Sequence, residues 1–431
     1  MSGDRGQLPT GFGRLWTAQT VSSLGDGVSH AALPLIALTL TRDPLALAVV
    51  TAAGTLPWLL FGVLGGALVD RWDRRRTMWV TDAARALLLA IPAAAAALDL
   101  LSIPLLAAVA FLLGLGGLFF DTAATAYLPD LLGRDPVLLE RANSRLRSAQ
   151  TAASGFAGPP AGSALLALGR AVPLLADAVS FALSALLVRS LPATPRPAEQ
   201  ARESLLRQAR AGASYVFRDR LLLGLALRPA VGNIAFLAVE TVLALFAHDR
   251  LGIGAFGFGL LLTAEATGGL LGAGIASFLG RRLGTGAALT CTAAVEGLAV
   301  LGLAAAPNPY VAGLALAVCG AGMGATMVLA PSLRQAIVPA ALMGRVTSTS
   351  RMLAMCAAPF GAFLGGWLAT TYDVRTPLYA ASGLLLTMTA VTATMTSNRR
   401  VEAALRGAAP GDGPGLPAPE VPVRESAPES L

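Results

Sequence analysis

The chain has 431 residues, of which 55% are hydrophobic and 13% are charged, and its formal net charge is +7 at pH 7. Soluble domains carry about 25% charged residues, so this composition excludes an ordinary soluble protein and indicates a polytopic membrane protein. All 32 basic residues are arginine, which we attribute to a GC-rich genome. The arginines cluster in loops between apolar runs, so we expect no nucleic-acid partner.

Apolar windows of about 20 residues, the length that crosses a bilayer as a helix, recur about twelve times along the chain. Their centres lie near Gly25, Thr55, Leu88, Leu112, Gly158, Ser180, Ile234, Gly269, Val295, Val318, Ala357 and Leu386. The N-terminus lacks the pattern of a cleaved signal peptide, so we expect the first span to be retained. The predicted fold class is an all-α membrane protein with about twelve transmembrane helices in two six-helix bundles.

Arginines are concentrated in alternate loops. They cluster near the N-terminus and at 71–76, 134–147, 189–220, 281–282, 334–345 and 399–406. The intervening loops hold only Arg42, Arg170, Arg250 and Arg375. The positive-inside rule therefore predicts a multi-pass protein of the cell membrane with both termini in the cytoplasm.

The apolar pattern breaks in the middle of the chain, where prolines precede a segment with apolar residues at helical spacing, including Leu205, Ala209 and Val216. This spacing predicts an amphipathic helix at the cytoplasmic surface. The chain thus divides into an N-terminal bundle (1–190), a cytoplasmic linker (191–220), a C-terminal bundle (221–400) and a polar tail (401–431). The composition of the tail predicts disorder.

A short basic loop joins the second and third predicted helices. Its motif consists of Gly66, Leu68, Asp70, Arg71, Arg74 and Arg75. The carboxylate can accept hydrogen bonds from a helix N-terminus across a bundle interface, and the arginines can hold the loop at an anionic membrane surface. We interpret the loop as a latch that forms in one conformation, and Thr347 and Ser348, as predicted N-cap residues, are its expected partners. A plain basic turn is the alternative.

This spacing resembles the signature between the second and third helices of major facilitator superfamily transporters. Asp73 takes the place of a glycine in that signature, as in the branch of drug:proton antiporters that includes macrolide-efflux proteins and enterobactin exporters. The resemblance implies two six-helix halves that alternately open a central site to either side of the membrane.

A second motif lies in the fifth predicted span and consists of Gly155, Gly158, Pro159 and Gly162. It resembles the antiporter signature of the same superfamily, in which small residues pack closely and proline bends the helix. Ser163 replaces its last glycine, and Pro359 with Gly361 holds a similar place in the eleventh span. The match favours export over uptake. The arginine that many drug antiporters carry in the fourth span is absent.

Acidic residues within apolar runs are the remaining functional signal, because each costs about 2.5–3.5 kcal/mol at the bilayer centre. Four lie in spans that line the central cavity of the family that the chain resembles: Asp26, Asp121, Glu240 and Glu265. A carboxylate removed from water binds a proton more readily, so these residues are candidates for proton coupling or for attracting a cationic substrate. We favour the pair Glu240 and Glu265. The alternative for each is a helix-end carboxylate paired with an arginine.

Other charged residues within the spans are assigned structural roles. Asp177 and Glu296 lie in the sixth and ninth spans, which the resemblance places at the periphery. Asp82 and Arg85 can pair on one helix face near the cytoplasmic end, where we expect them to snorkel to the membrane surface. His30 lies one turn from Asp26 and could relay a proton, although packing is the expected role.

The three cysteines, Cys291, Cys319 and Cys356, lie within apolar runs and have no metal-ligand spacing to each other or to the two histidines. We therefore predict no disulfide, metal site or cofactor. A polytopic membrane enzyme would need a catalytic constellation that we do not find. A chain without lysine also cannot contain the P-loop of an ATP-driven permease.

These observations predict a secondary transporter with no enzymatic activity, acting as a monomer in the lipid bilayer. We expect it to export a small hydrophobic drug or metabolite by proton antiport with alternating access, and so to confer multidrug resistance. A proton-coupled uptake symporter of the same fold is the alternative.

Overall fold

Helices account for every regular element in the part of the chain that the computed structural model describes, residues 8–69, 72–133, 135–192 and 213–408. The N-terminal half starts with four long helices: α1 Thr10–Leu40, α2 Pro44–Val69, α3 Arg74–Ala97 and α4 Ile103–Leu131. Its fifth crossing is segmented into α5 Pro136–Gln150, a π-helical turn at Thr151–Ala157 and α6 Gly158–Leu166. The half ends with α7 Ala171–Arg189.

The segmentation of the fifth crossing follows from two consecutive prolines. Pro159 and Pro160 lack the N–H groups that would complete the preceding α-helical turn, and the chain takes the wider π pattern directly before them.

The C-terminal half has six long helices and one short terminal helix. They are α8 Arg220–Asp249, α9 Ala255–Leu283, α10 Thr285–Ala304, α11 Pro309–Ile337, α12 Ala340–Thr371, α13 Thr376–Met395 and α14 Asn398–Ala408. By length and composition, 11 of the described helices could cross a membrane. With the segmented fifth crossing, the prediction of an all-α fold with about twelve transmembrane helices is confirmed.

Carboxylate side chains fix where several helices begin. Asp73 accepts a hydrogen bond from the Arg76 backbone N–H at 2.7 Å and so caps α3. Asp219 accepts one from the Leu221 N–H at 2.7 Å and caps α8. Because such caps satisfy the free N–H groups of a first helical turn, the aspartate that replaces a glycine in the loop motif has a local structural role.

The helix bundle has two ends that differ in how the halves pack. The terminal end holds the start of α1, the turn between α2 and α3, and α14, whereas the far end holds the loops 41–43, 250–254 and 372–375. At the far end one apolar cluster includes side chains from both halves, such as Ile36, Phe181, Phe246 and Leu378. At the terminal end each half has a separate cluster. The halves are therefore joined through their far ends.

Polar contacts also join the halves at the far end. Arg42 Nη1 lies 3.7 Å from Asp249 Oδ1, and the Thr370 hydroxyl donates to Asp43 Oδ1 at 3.4 Å. These contacts connect the α1–α2 loop with the C-terminal ends of α8 and α12, so the far end is closed in this conformation.

The predicted antiporter-like motif lies where the fifth crossing packs against α1. A Cβ atom on Gly158 would stand 2.6 Å from the Gly27 Cα atom, and one on Gly162 would collide with the Val28 carbonyl oxygen. In the second half, a Cβ atom on Gly361 would collide with the Ile234 carbonyl oxygen of α8. Both halves therefore use small residues to bring corresponding helices into backbone contact.

Two boundary predictions need correction. Residues 401–408 were expected to belong to a disordered tail, but they belong to α14, and Val401 is buried against the C-terminal half. Thr347 and Ser348 were expected to cap a helix, but α12 begins at Ala340 and both lie well inside it. The residues upstream of Thr347 continue the helix as far as Pro339, so the N-cap position lies there. Residues 409–431 lie outside the described part.

The predicted amphipathic linker helix lies mostly outside the described residues, which resume at 213. Residues 213–218 are helical, and Val216 is fully buried in the apolar cluster at the terminal end of the C-terminal half.

Candidate functional site: an apolar cavity and two sets of buried charges

A cavity of about 180 Å³ lies within the C-terminal half, between α8, α9, α10, α11 and α13, and His30 of α1 forms part of its wall. Most of the lining is apolar and includes Phe236, Leu243, Leu262, Val300, Leu316 and Met323. Three carboxyl groups interrupt this surface: Glu240, Glu265 and Glu296. An apolar cavity with a few polar groups is the usual form of a small-molecule site.

The favoured pair, Glu240 and Glu265, is brought together in this cavity from α8 and α9. His30 Nδ1 lies 3.4 Å from Glu240 Oε1. Since His30 belongs to the N-terminal half, this contact places Glu240 both in the cavity and at the boundary between the halves.

Glu296 also lines the cavity, so the prediction that it lies at the periphery is wrong. Its Oε1 atom accepts a hydrogen bond from the Thr326 hydroxyl at 3.1 Å, and Thr326 in turn lies 2.9 Å from the Thr292 hydroxyl oxygen. The ninth predicted span corresponds to α10. It contributes to the site because the face of α10 that carries Thr292 and Glu296 packs against α11 and is directed into the cavity. One sequence does not reveal that orientation.

Arg228 of α8 is a site residue that the sequence reasoning missed. It lines the cavity and is buried, and one of its Nη atoms donates to the Leu289 carbonyl oxygen of α10 while Nη1 has no hydrogen-bond partner among the described residues. The available signal was a basic residue eight positions inside the seventh apolar run. The cavity lining thus includes a guanidinium group within electrostatic range of Glu296.

A second set of charges lies within the N-terminal half. Arg85 Nη2 donates to Asp26 Oδ1 at 2.8 Å, and Arg85 Nη1 lies 3.5 Å from Asp82 Oδ1. Asp82 is fully buried and Arg85 is only 8% exposed, so the expectation that this pair snorkels to the membrane surface is wrong. Asp177 is also buried and accepts hydrogen bonds from the Ser29 and Ser180 hydroxyl groups.

Asp121 of α4 lies near this set, within electrostatic range of Asp26 and Arg85. Its side chain is exposed. It also lies within electrostatic range of Arg351 on α12, which belongs to the C-terminal half. Asp121 therefore faces the space between the halves. The structure thus divides the four predicted carboxyls into two pairs, Asp26 with Asp121 and Glu240 with Glu265.

Only part of the predicted latch can be described. Asp70 and Arg71 lie outside the described residues, and Gly66 lies within α2. Arg74 donates to the Ala126 carbonyl oxygen at 3.0 Å and forms an ion pair with Asp130 at the end of α4. Arg74 is therefore bound within its own half, whereas Arg75 is partly buried at the start of α3.

The comparisons with known proteins point to one kind of protein. The family model described as "Transmembrane secretion effector" matches residues 9–420. The multidrug efflux pump Tap of Mycolicibacterium fortuitum is 29% identical over 377 residues, which cover 85% of this chain and 90% of that protein. Tap of Mycobacterium tuberculosis is 28% identical over 386 residues, covering 87% and 88%.

Solved structures of transporters share the fold. A crystal structure of the nucleoside transporter NupG superimposes with a TM-score of 0.74 at 14% identity, covering 90% of this chain and 100% of that one. A bacterial homologue of the iron transporter ferroportin superimposes with a TM-score of 0.73 at 18% identity, covering 91% and 100%. At these identities the likeness concerns the fold alone.

Proposed function

The chain belongs to the transmembrane secretion effector family of the major facilitator superfamily, and we propose that it exports a small hydrophobic drug or metabolite across the cell membrane in exchange for protons. The proposed site is the cavity in the C-terminal half. Its apolar wall suits a hydrophobic molecule, and its carboxyl groups suit a cationic one. The multidrug efflux pumps to which the chain is similar support the direction of transport.

The contact between His30 and Glu240 is the observation that carries the proposal. Glu240 lines the cavity, and its partner belongs to the other half. A protonated histidine attracts an ionised Glu240, whereas protonation of the glutamate removes this attraction. The protonation state of one cavity residue thereby biases the packing of the two halves at the closed far end.

Alternating access follows from this coupling. With the far end closed, substrate enters from the terminal end, and a cationic substrate competes with a proton for Glu240 and Glu265. Binding of the substrate releases the proton on the side from which it entered. When the halves repack and the far end opens, protons from that side displace the substrate.

The orientation in the membrane is part of the proposal. The arginine-rich loops lie at the terminal end, so the positive-inside rule places this end and both termini in the cytoplasm. The loop that contains Asp70 is the proposed latch of this face. We further propose that one chain forms the complete transporter, because it supplies both helical halves of the fold.

Transport in everted membrane vesicles tests the proposal. Ethidium is the probe, and the vesicle lumen is made more acidic than the medium. Vesicles with the wild-type protein should then accumulate the dye, and an uncoupler should abolish the accumulation. Vesicles from cells without the gene are the control. Accumulation that persists after the gradient has collapsed contradicts proton exchange. Accumulation in right-side-out vesicles under an outside-acid gradient would instead support the uptake symporter.

A further inference from the structure

The charges in the N-terminal half do not balance. Three carboxyl groups, those of Asp26, Asp82 and Asp177, surround the single guanidinium of Arg85. Asp121 of α4 adds a fourth acidic group within range, although Arg147 and Arg351 partly offset its charge. If all the carboxyls around Arg85 were ionised, negative charge would remain uncompensated in an apolar interior, which is costly. The cluster must therefore hold a proton.

Asp82 is the carboxyl group least able to remain ionised. Asp26 receives a hydrogen bond from Arg85 at 2.8 Å and is 46% exposed, and Asp177 receives hydrogen bonds from two serine hydroxyls. The side chain of Asp82 is fully buried, and neither of its oxygens has a hydrogen bond of good geometry among the described residues, although the Ser184 hydroxyl and Arg85 lie close to it. A carboxylate needs such donors to stay charged away from water, so the proton belongs on Asp82.

Asp26 connects the buried Asp82 to the space between the halves. His30, four residues further along α1, lies on the same helix face and contacts Glu240 of the other half. Asp26 itself is 46% exposed, so its carboxyl group is accessible on the helix face that it shares with His30. Arg85 lies between the two carboxyls: its Nη2 atom donates to Asp26, and its Nη1 atom lies 3.5 Å from Asp82 Oδ1.

The packing around Arg85 leaves room for its long side chain. Its Cζ atom lies 3.7 Å from the centre of the Phe181 ring. A Cβ atom on Gly116 of α4 would stand 2.8 Å from Arg85 Cγ, so any larger residue there would displace the arginine. The fourth span has no arginine of its own in this region. Instead, Arg85 of α3 packs against Gly116 of the fourth span.

We propose that Asp82 carries a second proton, in the N-terminal half, in addition to the one bound at Glu240 and Glu265, and that Arg85 loads and unloads it by exchanging between Asp26 and Asp82. The proposal rests on proton exchange as the driving force. On release, the O–H bond of Asp82 breaks, the guanidinium pairs with the new Asp82 carboxylate, and the proton passes to Asp26. Asp26 then gives the proton to water between the halves. Loading is the reverse, and no electrons are transferred.

Proteoliposomes that contain the full chain test this proposal, with ethidium as the probe. Asp82→Asn keeps the shape of the side chain but removes the titrating group. We expect it to reduce gradient-driven accumulation by about tenfold or more, corresponding to about 1.4 kcal/mol, while ethidium exchange at equal pH stays within about twofold of wild type. Asp99→Asn, which alters an exposed carboxyl outside the cluster, is the control and should keep gradient-driven accumulation.

Arg85 is a positioning residue, and its test is a pH profile. Arg85→Lys keeps the charge but cannot reach two carboxyls with a planar fork. It should shift the pH dependence of gradient-driven transport, whereas a loss of stability alone would lower transport equally at every pH. An unshifted profile contradicts the exchange role of Arg85.

The remaining outcomes separate this inference from the proposed function. If the wild type uses the gradient and Asp82→Asn accumulates ethidium equally well, Asp82 does not carry a coupled proton. If the wild type does not respond to a pH gradient, or responds to a sodium gradient instead, proton exchange itself is wrong. If Asp82→Asn does not fold, infrared spectra of the wild type and Asp82→Glu decide: the protonated-carboxyl band should shift with Glu, and an unchanged band overturns the proposal.

Discussion

His30 Nδ1 lies 3.4 Å from Glu240 Oε1 across the boundary between the two halves. The contact joins α1 to α8 within the wall of the cavity, on the side where the apolar clusters of both halves merge. It therefore connects the chemistry of the cavity with the movement of the halves.

Replacing the acidic member of this pair should uncouple transport. Glu240→Gln cannot titrate, so we expect gradient-driven ethidium accumulation to fall by about tenfold or more, or about 1.4 kcal/mol, with little change in protein abundance. His30→Gln should have a smaller effect, at most about fivefold, as expected for a partly exposed ion pair worth about 0.2–1 kcal/mol. Vesicle transport measures both. Equal effects of the two substitutions would contradict the assignment of the proton to Glu240.

A disulfide at the far end should lock the conformation described. Asp43 and Thr370 come from opposite halves and their side-chain oxygens lie 3.4 Å apart, so cysteines at these two positions are expected to meet. In a background with the three native cysteines replaced by serine, Asp43→Cys with Thr370→Cys should block transport under oxidising conditions, and a reductant should restore it. Asp43→Ser with Thr370→Cys is the control. Undiminished transport by the oxidised pair would contradict alternating access through this end.

The close crossing of α1 and the fifth span should not tolerate a larger residue. Gly158→Ala places a methyl group 2.6 Å from the Gly27 Cα atom, and overpacking of this kind costs about 1–3 kcal/mol. We expect a lower midpoint of thermal unfolding in detergent and less protein in the membrane. Gly117→Ala in α4, where no atom lies within 4 Å of the added Cβ, should leave both unchanged. Similar behaviour of the two variants would argue against the crossing.

An ion pair between two far-end loops gives a prediction about pH. Partial burial opposes ionisation of Asp373, but hydrogen bonds from the Arg250 guanidinium and the Arg375 backbone N–H outweigh this effect and lower the pKa of Asp373 below its ordinary value of 3.8. A lowered pKa in the folded state means that ionised Asp373 stabilises the protein above the ordinary value, and that this stabilisation is lost as the pH falls through the lowered one.

Asp373→Asn should therefore destabilise the protein at neutral pH by about 0.2–1 kcal/mol, because the pair is largely exposed. The difference in unfolding midpoint should be constant from about pH 5 to pH 8 and should shrink below the ordinary pKa. Thermal unfolding of the purified protein measures it, and Asp99→Asn, which alters the exposed partner of Arg170, is a matched comparison. A difference that grows on acidification would contradict the pairing of ionised Asp373.

The latch proposal predicts that the carboxylate of Asp70 is needed for transport and not only for the orientation of the protein in the membrane. Asp70→Asn leaves every arginine in place, so the orientation set by positive charge should not change, whereas export of ethidium should fall. Arg76→Gln, which removes one charge outside the motif, should change neither. Cysteine accessibility of the loops and vesicle transport measure the two properties. Full export by Asp70→Asn would leave the plain basic turn as the correct interpretation.

The sequence by itself determined the helical membrane fold and the family. Both rest on local properties: apolar runs long enough to cross a bilayer as helices, and short motifs such as the loop around Gly66 and the glycines before Pro159. A membrane helix satisfies its own backbone hydrogen bonds, so its existence depends little on its neighbours.

Only the tertiary structure decided which charged residues share an environment. Glu296 lines the cavity and Asp82 is buried with Arg85, although the sequence placed the first at the periphery and the second pair at the membrane surface. The direction in which a side chain points depends on how its helix is rotated about its own axis relative to the neighbouring helices. In soluble proteins the spacing of apolar residues indicates this rotation, but in a membrane protein the signal is weak because lipid and protein interior are both apolar. The partners of Glu240 and Asp26 therefore became visible only when α1, α3 and α8 were packed together.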